Sequence, residues 1–101
     1  MSTLHEKVEA IEKAGVGELA EHALGKLIHL HLQKCEKELA AVRRDIEPFE
    51  RQYGMSSEEC HRQITNGECG DTAEIMEWRG LYDNALLYEE RIETLRTAAE
   101  S

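Results

Sequence analysis

The chain has 101 residues, which is enough for one domain only, and a chain this short buries about 60–70% of the surface that its unfolded form exposes. Apolar residues make up 41% and charged residues 33%, which is too apolar for a disordered chain and too charged for a membrane protein. One proline, seven glycines and many good helix formers favour helices and exclude an all-β fold.

The net charge of −9 is concentrated in the second half of the chain. Residues 1–55 contain ten Asp and Glu against eight Lys and Arg, whereas residues 56–101 contain eleven against four. An acidic surface repels nucleic acid and anionic lipid and attracts basic proteins, so we expect no direct nucleic-acid binding and no membrane contact. Because no apolar run of about 18 residues and no signal-like leader opens the chain, we expect a cytoplasmic protein.

The first predicted helix covers residues 1–15. Ser2 or Thr3 can cap it, and Leu4, Val8 and Ile11 recur at helical spacing before a glycine-containing hinge.

A long second helix is predicted over residues 18–53, with apolar residues at alternating spacings of four and three. This first seam consists of Ile28, Leu32, Cys35, Leu39, Val42, Ile46, Phe49 and Tyr53. Pro48 lies within it and should bend the helix or restart it, because proline removes a backbone donor. Gly54 offers a left-handed stop.

A short helix over residues 57–66 and a long helix over residues 72–98 complete the prediction. Ser56 followed by Glu59 has the form of a capping box, and Asp71 with Glu74 resembles an N-cap pair. The last helix carries a second seam, which consists of Trp78, Leu81, Ala85, Tyr88, Ile92 and Leu95. The two seams predict an all-α, coiled-coil-like antiparallel hairpin, with the short helix folded across its turn.

Further apolar residues lie off both seams. On the second helix they are Leu19, Ala20, Ala23, Leu24, Leu27 and Leu30, and on the last helix Ile75, Met76, Tyr82, Leu86 and Leu87. One hairpin cannot bury both sets. Either the first helix and a second copy of the chain cover them, or a different protein docks there. Leu19, Leu24, Leu27 and Leu30 are therefore candidates for a homodimer interface or a partner surface.

Neither a metal site nor a catalytic site is expected. His31 and Cys35 could share a helix face as ligands, but no second pair has matching spacing, and the odd set of three cysteines predicts reduced thiols. We found no phosphate-binding loop and no nucleophile beside a base, and the carboxylates fit solvated faces or pairs such as Glu58 with Arg62. We therefore expect no cofactor and no enzymatic activity, although a metal-binding sensor stays an alternative.

Three stretches of the sequence, which follow one another in a fixed order, resemble those of a known family. The first is Phe49 to Glu59, which includes Tyr53-Gly54-Met55-Ser56, the second is Gly67 to Asp71, and the third is Glu77-Trp78. This set resembles small helical antitoxin-like proteins encoded beside toxin genes in bacteria and archaea, and it covers residues 47–95. In those relatives an aromatic residue tends to replace Cys60 and an aliphatic residue Cys69, which favours buried cysteines here.

The resemblance implies a proteinaceous antitoxin that binds a basic toxin, often a ribonuclease, and covers its active site. The acidic residues Glu74, Glu77 and Glu90 are expected to steer the toxin, and the apolar residues Tyr82, Leu86 and Leu87 to hold it. The alternative is a homo-oligomeric helical scaffold or adaptor that has no toxin partner.

Overall fold

The structure is a computed structural model that describes residues 2–70 and 72–100. Within these residues the chain forms four α-helices and no strand. The helices are α1 (Leu4–Lys13), α2 (Gly17–Tyr53), α3 (Ser57–Thr65) and α4 (Ala73–Glu100). The predicted all-α fold is confirmed.

Short hydroxyl side chains cap the starts of three helices. The Thr3 hydroxyl accepts from the backbone N–H of Glu6 at 3.1 Å, and the Ser56 hydroxyl accepts from that of Glu59, also at 3.1 Å. At the start of α4 the hydroxyl of Thr72 accepts from the N–H of Ile75 at 3.2 Å. Asp71, the predicted cap of α4, lies outside the described residues.

Some of the predicted helix ends are present in the structure, and one predicted interruption is not. Gly54 follows α2 with φ of 64° and Gly67 follows α3 with φ of 70°, so both adopt the left-handed conformation that glycine tolerates best. Pro48, in contrast, lies inside α2, which continues without interruption to Tyr53. The alternative that the helix restarts at Pro48 is therefore wrong.

Helices α2 and α4 form the predicted antiparallel hairpin. Contacts between them pair Glu36 with Arg96, Arg43 with Glu89, and Tyr53 with Glu74, so residue numbers rise along α2 as they fall along α4. The buried core is Cys35, Leu39, Ile46, Cys60, Ile75, Trp78, Ala85 and Ile92. Both seams thus face each other, and every other seam residue except Ile28 packs against this core.

One residue of the core was assigned to the wrong surface. Ile75 is only 4% exposed, although the spacing of the last helix put it among the surplus apolar residues. It lies one turn before Trp78 and belongs to the same buried cluster.

The start of α2 projects beyond the hairpin. At about 1.5 Å per residue, α2 with its 37 residues is roughly 55 Å long and α4 with its 28 residues roughly 42 Å. Arg96, close to the end of α4, already lies opposite Glu36. Residues 17–31 of α2, here called the arm, therefore project past the end of α4, and of these residues His31, the last, still shares a groove with Arg91 and Leu95 of α4.

Of the other described helices, α1 is the one that lies beside most of the arm. Gly17 and Ala20 are half-buried, and a Cβ on Gly17 would lie 3.7 Å from the Cγ of Glu12, so α1 lies on their side of α2. No residue of α1 is buried. The expectation that the first helix covers part of the off-seam surface therefore holds for one side of the arm only.

Candidate functional site

A chain of hydrogen bonds closes the turn end of the hairpin. The indole Nε1 of Trp78 donates to the hydroxyl of Ser57 at 2.8 Å, and that hydroxyl donates to the carboxylate of Glu50 at 3.0 Å. The backbone N–H of Ser57 donates to the same carboxylate at 2.8 Å. Ser57 is buried, Trp78 is 1% exposed and Glu50 is half-buried, so this network joins α2, α3 and α4 at the edge of the core.

Aromatic rings surround the same indole. The rings of Phe49 and Tyr53 stack on Trp78 with centroid distances of 5.9 and 5.4 Å. The Tyr53 hydroxyl donates to Glu74 at 2.6 Å, and this hydrogen bond raises the pKa of Tyr53. Phe49, Tyr53, Ser57 and Trp78, four of the residues on which the resemblance was based, therefore meet in one cluster, and each of these side chains has an architectural role there.

Two predicted partner-binding residues belong to this framework. Glu74 accepts hydrogen bonds from Tyr53 and, at 3.3 Å, from Gln52. Tyr82 is half-buried against His61, with 5.5 Å between the ring centroids, and burial raises the pKa of the Tyr82 hydroxyl. Substitution of either residue would perturb the fold as well as any partner surface.

The remaining predicted partner residues do not share one face of α4. At about 100° per residue, Leu86 and Leu87 point roughly 100° apart. Leu86 lies one turn after Tyr82, on the side of α4 that faces α3. Glu77 lies one turn before Leu81, close to the side of α4 that faces α2. Leu87 and Glu90 lie together on the side that is turned away from α2.

That side, here called the outer face of α4, comprises Met76, Asp83, Leu87 and Glu90. These residues follow one another at spacings of seven, four and three, which keeps them on one helical stripe. Met76 is 48% exposed and Leu87 42% exposed. Neither Asp83 nor Glu90 forms a salt bridge with any residue in the described parts of the chain. The outer face therefore presents apolar and acidic groups side by side.

A second exposed apolar surface lies on the arm. It consists of Leu19, Leu24, Leu27 and Leu30, here called the arm surface, with exposures of 69%, 39%, 61% and 63%. Leu24 is the best covered of the four because it lies one turn before Ile28, on the extension of the first seam. Leu27 follows Ala20 by two turns on the stripe that faces α1, whereas Leu19 and Leu30 lie on a different side of α2. All four residues singled out from the sequence are thus accessible.

The ionic contacts of α3 differ from the expected pairing. Arg62 binds Glu59, with nitrogen–oxygen distances of 2.9 and 2.7 Å, and not Glu58. This pairing lowers the pKa of Glu59 to about 2. Because Glu59 turns to Arg62, its carboxylate does not complete the reciprocal half of the capping box.

The cysteines and histidines are dispersed. Cys35 and Cys60 are buried and Cys69 is half-buried, and burial raises the pKa of the Cys60 thiol. Over residues 2–70 and 72–100, no three His, Cys, Asp or Glu side chains are placed to hold a metal ion. The Nδ1 atom of His61 is buried without a hydrogen-bond partner among the described residues.

Comparisons of the chain with family models, with curated proteins and with solved structures found no match. Among the described helices, none has an apolar stretch long enough to cross a membrane.

Proposed function

We propose that this protein is a cytoplasmic antitoxin that neutralises a cognate basic toxin, such as a ribonuclease, by direct contact. The observation that supports this most is the outer face of α4, where Met76 and Leu87 are exposed on one stripe with Asp83 and Glu90, two carboxylates without a salt bridge in the described parts of the chain. Such a mixture suits a partner with a basic surface and apolar pockets. The resemblance at the turn end of the hairpin points to the same class.

The charge of α4 supports attraction of a basic partner. The helix contains seven Asp and Glu against three Arg. Arg96 binds Glu36, and Arg91 lies over the ring of Tyr88 at 6.0 Å, so these two cations are directed toward the hairpin. The acidic excess is left facing outward and would raise the rate of encounter with a basic protein at low salt.

The test uses the product of the adjacent gene, captured by the tagged full-length protein and co-expressed with it in cells. Wild type should retain that product and restore growth. A Met76→Ser, Leu87→Ser variant should bind with faster dissociation, because apolar anchors determine residence. An Asp83→Lys, Glu90→Lys variant should associate more slowly, and the difference from wild type should shrink at high salt.

A control separates the outer face from net charge alone. Asp45→Lys with Glu47→Lys changes the net charge by the same amount at two exposed positions of α2. This variant should associate faster than the Asp83→Lys, Glu90→Lys variant. Equal slowing in both would assign the attraction to total charge and remove the outer face from the proposal.

The second candidate is a homo-oligomeric scaffold or adaptor without a toxin partner. The exposed leucines of the arm surface favour it, because they suit a second copy of the chain as well as any other protein. A homodimer is part of both proposals. Dimerisation without capture of the neighbouring product, and without rescue of growth, would favour the scaffold.

A further inference from the structure

We propose that the arm surface is the interface of a two-fold symmetric homodimer, in which the arms of two copies pair antiparallel and the two α1 helices flank them. The proposal gives the homodimer of the preceding section a defined interface. It rests on that homodimer and not on the existence of a toxin.

The spacing of the leucines fits an antiparallel pairing. Leu19 and Leu30 lie at equal distances from a point between Leu24 and Gly25. A two-fold axis at that point places Leu19 of one copy against Leu30 of the other, twice per dimer. These two residues are the most exposed leucines of the arm surface, at 69% and 63%, so the pairing buries the positions that are otherwise the least covered.

The shape of the molecule permits this pairing. The arm extends over residues 17–31 because α4 ends opposite the residues that follow it. Antiparallel arms centred between residues 24 and 25 overlap along nearly their whole length. The two hairpins then lie at opposite ends of the dimer, where they do not compete for the same space.

The charges along α2 select the antiparallel direction. Glu18 and Glu21 stand at the start of the arm, whereas Lys26 lies in its second half. Antiparallel pairing brings the acidic start of each arm beside the half of the other arm that carries Lys26. Parallel pairing would instead place like charges side by side, which is unfavourable.

The size of the surface requires a contribution from α1. One arm of 15 residues is about 22 Å long and presents a strip about 10 Å wide, well below the roughly 800 Å² per partner of a stable interface. Apolar residues of α1 and its turn extend the strip, because Leu4 is 75%, Ile11 37% and Val16 45% exposed. The combined surface stays small, so the dimer should dissociate on dilution.

Light scattering and sedimentation over a dilution series of the full chain test the interface. Wild type should change from dimer to monomer as concentration falls, and Leu19→Ser with Leu30→Ser should stay monomeric at all concentrations. The control, Met76→Ser with Leu87→Ser, removes two other exposed apolar side chains, 48% and 42% accessible, from α4 and should dimerise like wild type. A wild-type chain that is monomeric throughout, or a dimer that the arm variant leaves intact, would overturn the proposal.

Disulfide trapping tests the direction in a Cys69→Ser background. A disulfide needs Cα atoms about 4.4–6.8 Å apart, whereas two copies of position 19 would be separated by about 16 Å along antiparallel arms. An oxidised mixture of Leu19→Cys and Leu30→Cys chains should therefore give mainly the mixed dimer. If each chain alone links to itself as efficiently, the arms are not antiparallel.

The same variants keep this proposal separate from the proposed function. Loss of dimerisation in the Leu19→Ser, Leu30→Ser chain should leave single-copy capture of the adjacent gene product intact, because that contact is assigned to α4. Failure to capture that product, with a dilution-dependent dimer still present, would refute the antitoxin and leave the arm interface standing.

Discussion

Replacing Ser57 by Ala should destabilise the protein more than any change of similar size on the surface of α3. The substitution removes the acceptor of the Trp78 indole N–H, which is buried and has its hydrogen bond to Ser57 at 2.8 Å. It also removes the hydroxyl bond to Glu50 at 3.0 Å, but Glu50 keeps its bond to the Ser57 backbone N–H. The dominant cost is thus one unsatisfied buried donor.

A buried donor without a partner costs about 1–3 kcal/mol, so we expect the free energy of unfolding to fall by about 2 kcal/mol. For a domain of this size, 1 kcal/mol shifts the melting temperature by about 4–8 °C, which predicts a decrease of about 10 °C. Trp78 is the single tryptophan of the chain, so its fluorescence in urea reports on this site, while circular dichroism reports on all helices.

The control is Thr65→Ala in the same helix. The Thr65 hydroxyl is exposed and bonds to the backbone carbonyl of His61 one turn back, at 2.9 Å. Its removal should change stability by less than about 0.5 kcal/mol. If Ser57→Ala were as mild as this control, the indole would not depend on Ser57 and the network would not hold the three helices together.

Three further perturbations probe the seam, the turn and the acid dependence. Ile92→Asp places a charge in the core and should unfold the protein, whereas Leu87→Asp on the exposed outer face should leave its circular dichroism spectrum unchanged. Gly54→Ala should lower the free energy of unfolding by about 1 kcal/mol in urea titrations, because φ is 64° at this position. Gly80→Ala inside α4 should raise it slightly. If Gly54→Ala were instead the more stable of the two variants, the assigned end of α2 would be wrong. The folded pKa of Glu59 is about 2 and its ordinary value is 4.5, so its contribution is present above pH 4.5 and is lost as the pH falls toward 2. Glu59→Gln should therefore flatten the decline of melting temperature over that range, and an unchanged acid profile would show that the pair with its arginine does not contribute.

The heptad spacing of the sequence was sufficient to predict the hairpin and the two helix faces that meet in it. Cys35, Leu39 and Ile46 repeat at intervals that only one face of a helix satisfies, and Trp78, Ala85 and Ile92 do the same on α4. Local rules also placed helix ends at Ser56 and Gly54 and narrowed the first cap to Ser2 or Thr3, because capping depends on residues only a few positions apart.

The network of Trp78, Ser57 and Glu50 could not be predicted in this way. Ser57 and Trp78 are 21 residues apart and Glu50 precedes Ser57 by seven, so no local spacing relates them. Ser57 directly follows the capping residue Ser56, and a serine at such a position is expected to be solvated in the first turn of the helix. Whether it is buried depends on how α3 packs across the turn of the hairpin. One signal was available, because a buried tryptophan generally needs an acceptor for its N–H.

The tertiary structure also places the predicted partner-binding residues on different sides of α4. The sequence could show that Glu74, Tyr82 and Leu87 lie off or beside the second seam, but not that α3 covers Tyr82 and that Tyr53 holds Glu74. It also showed four leucines at the start of α2 without showing that α4 ends before reaching them. Periodicity within a helix fixes which residues share a face, because that depends on the backbone repeat alone. Which of those faces stays open depends on where the other helices begin, end and cross, and only their packing in three dimensions decides that.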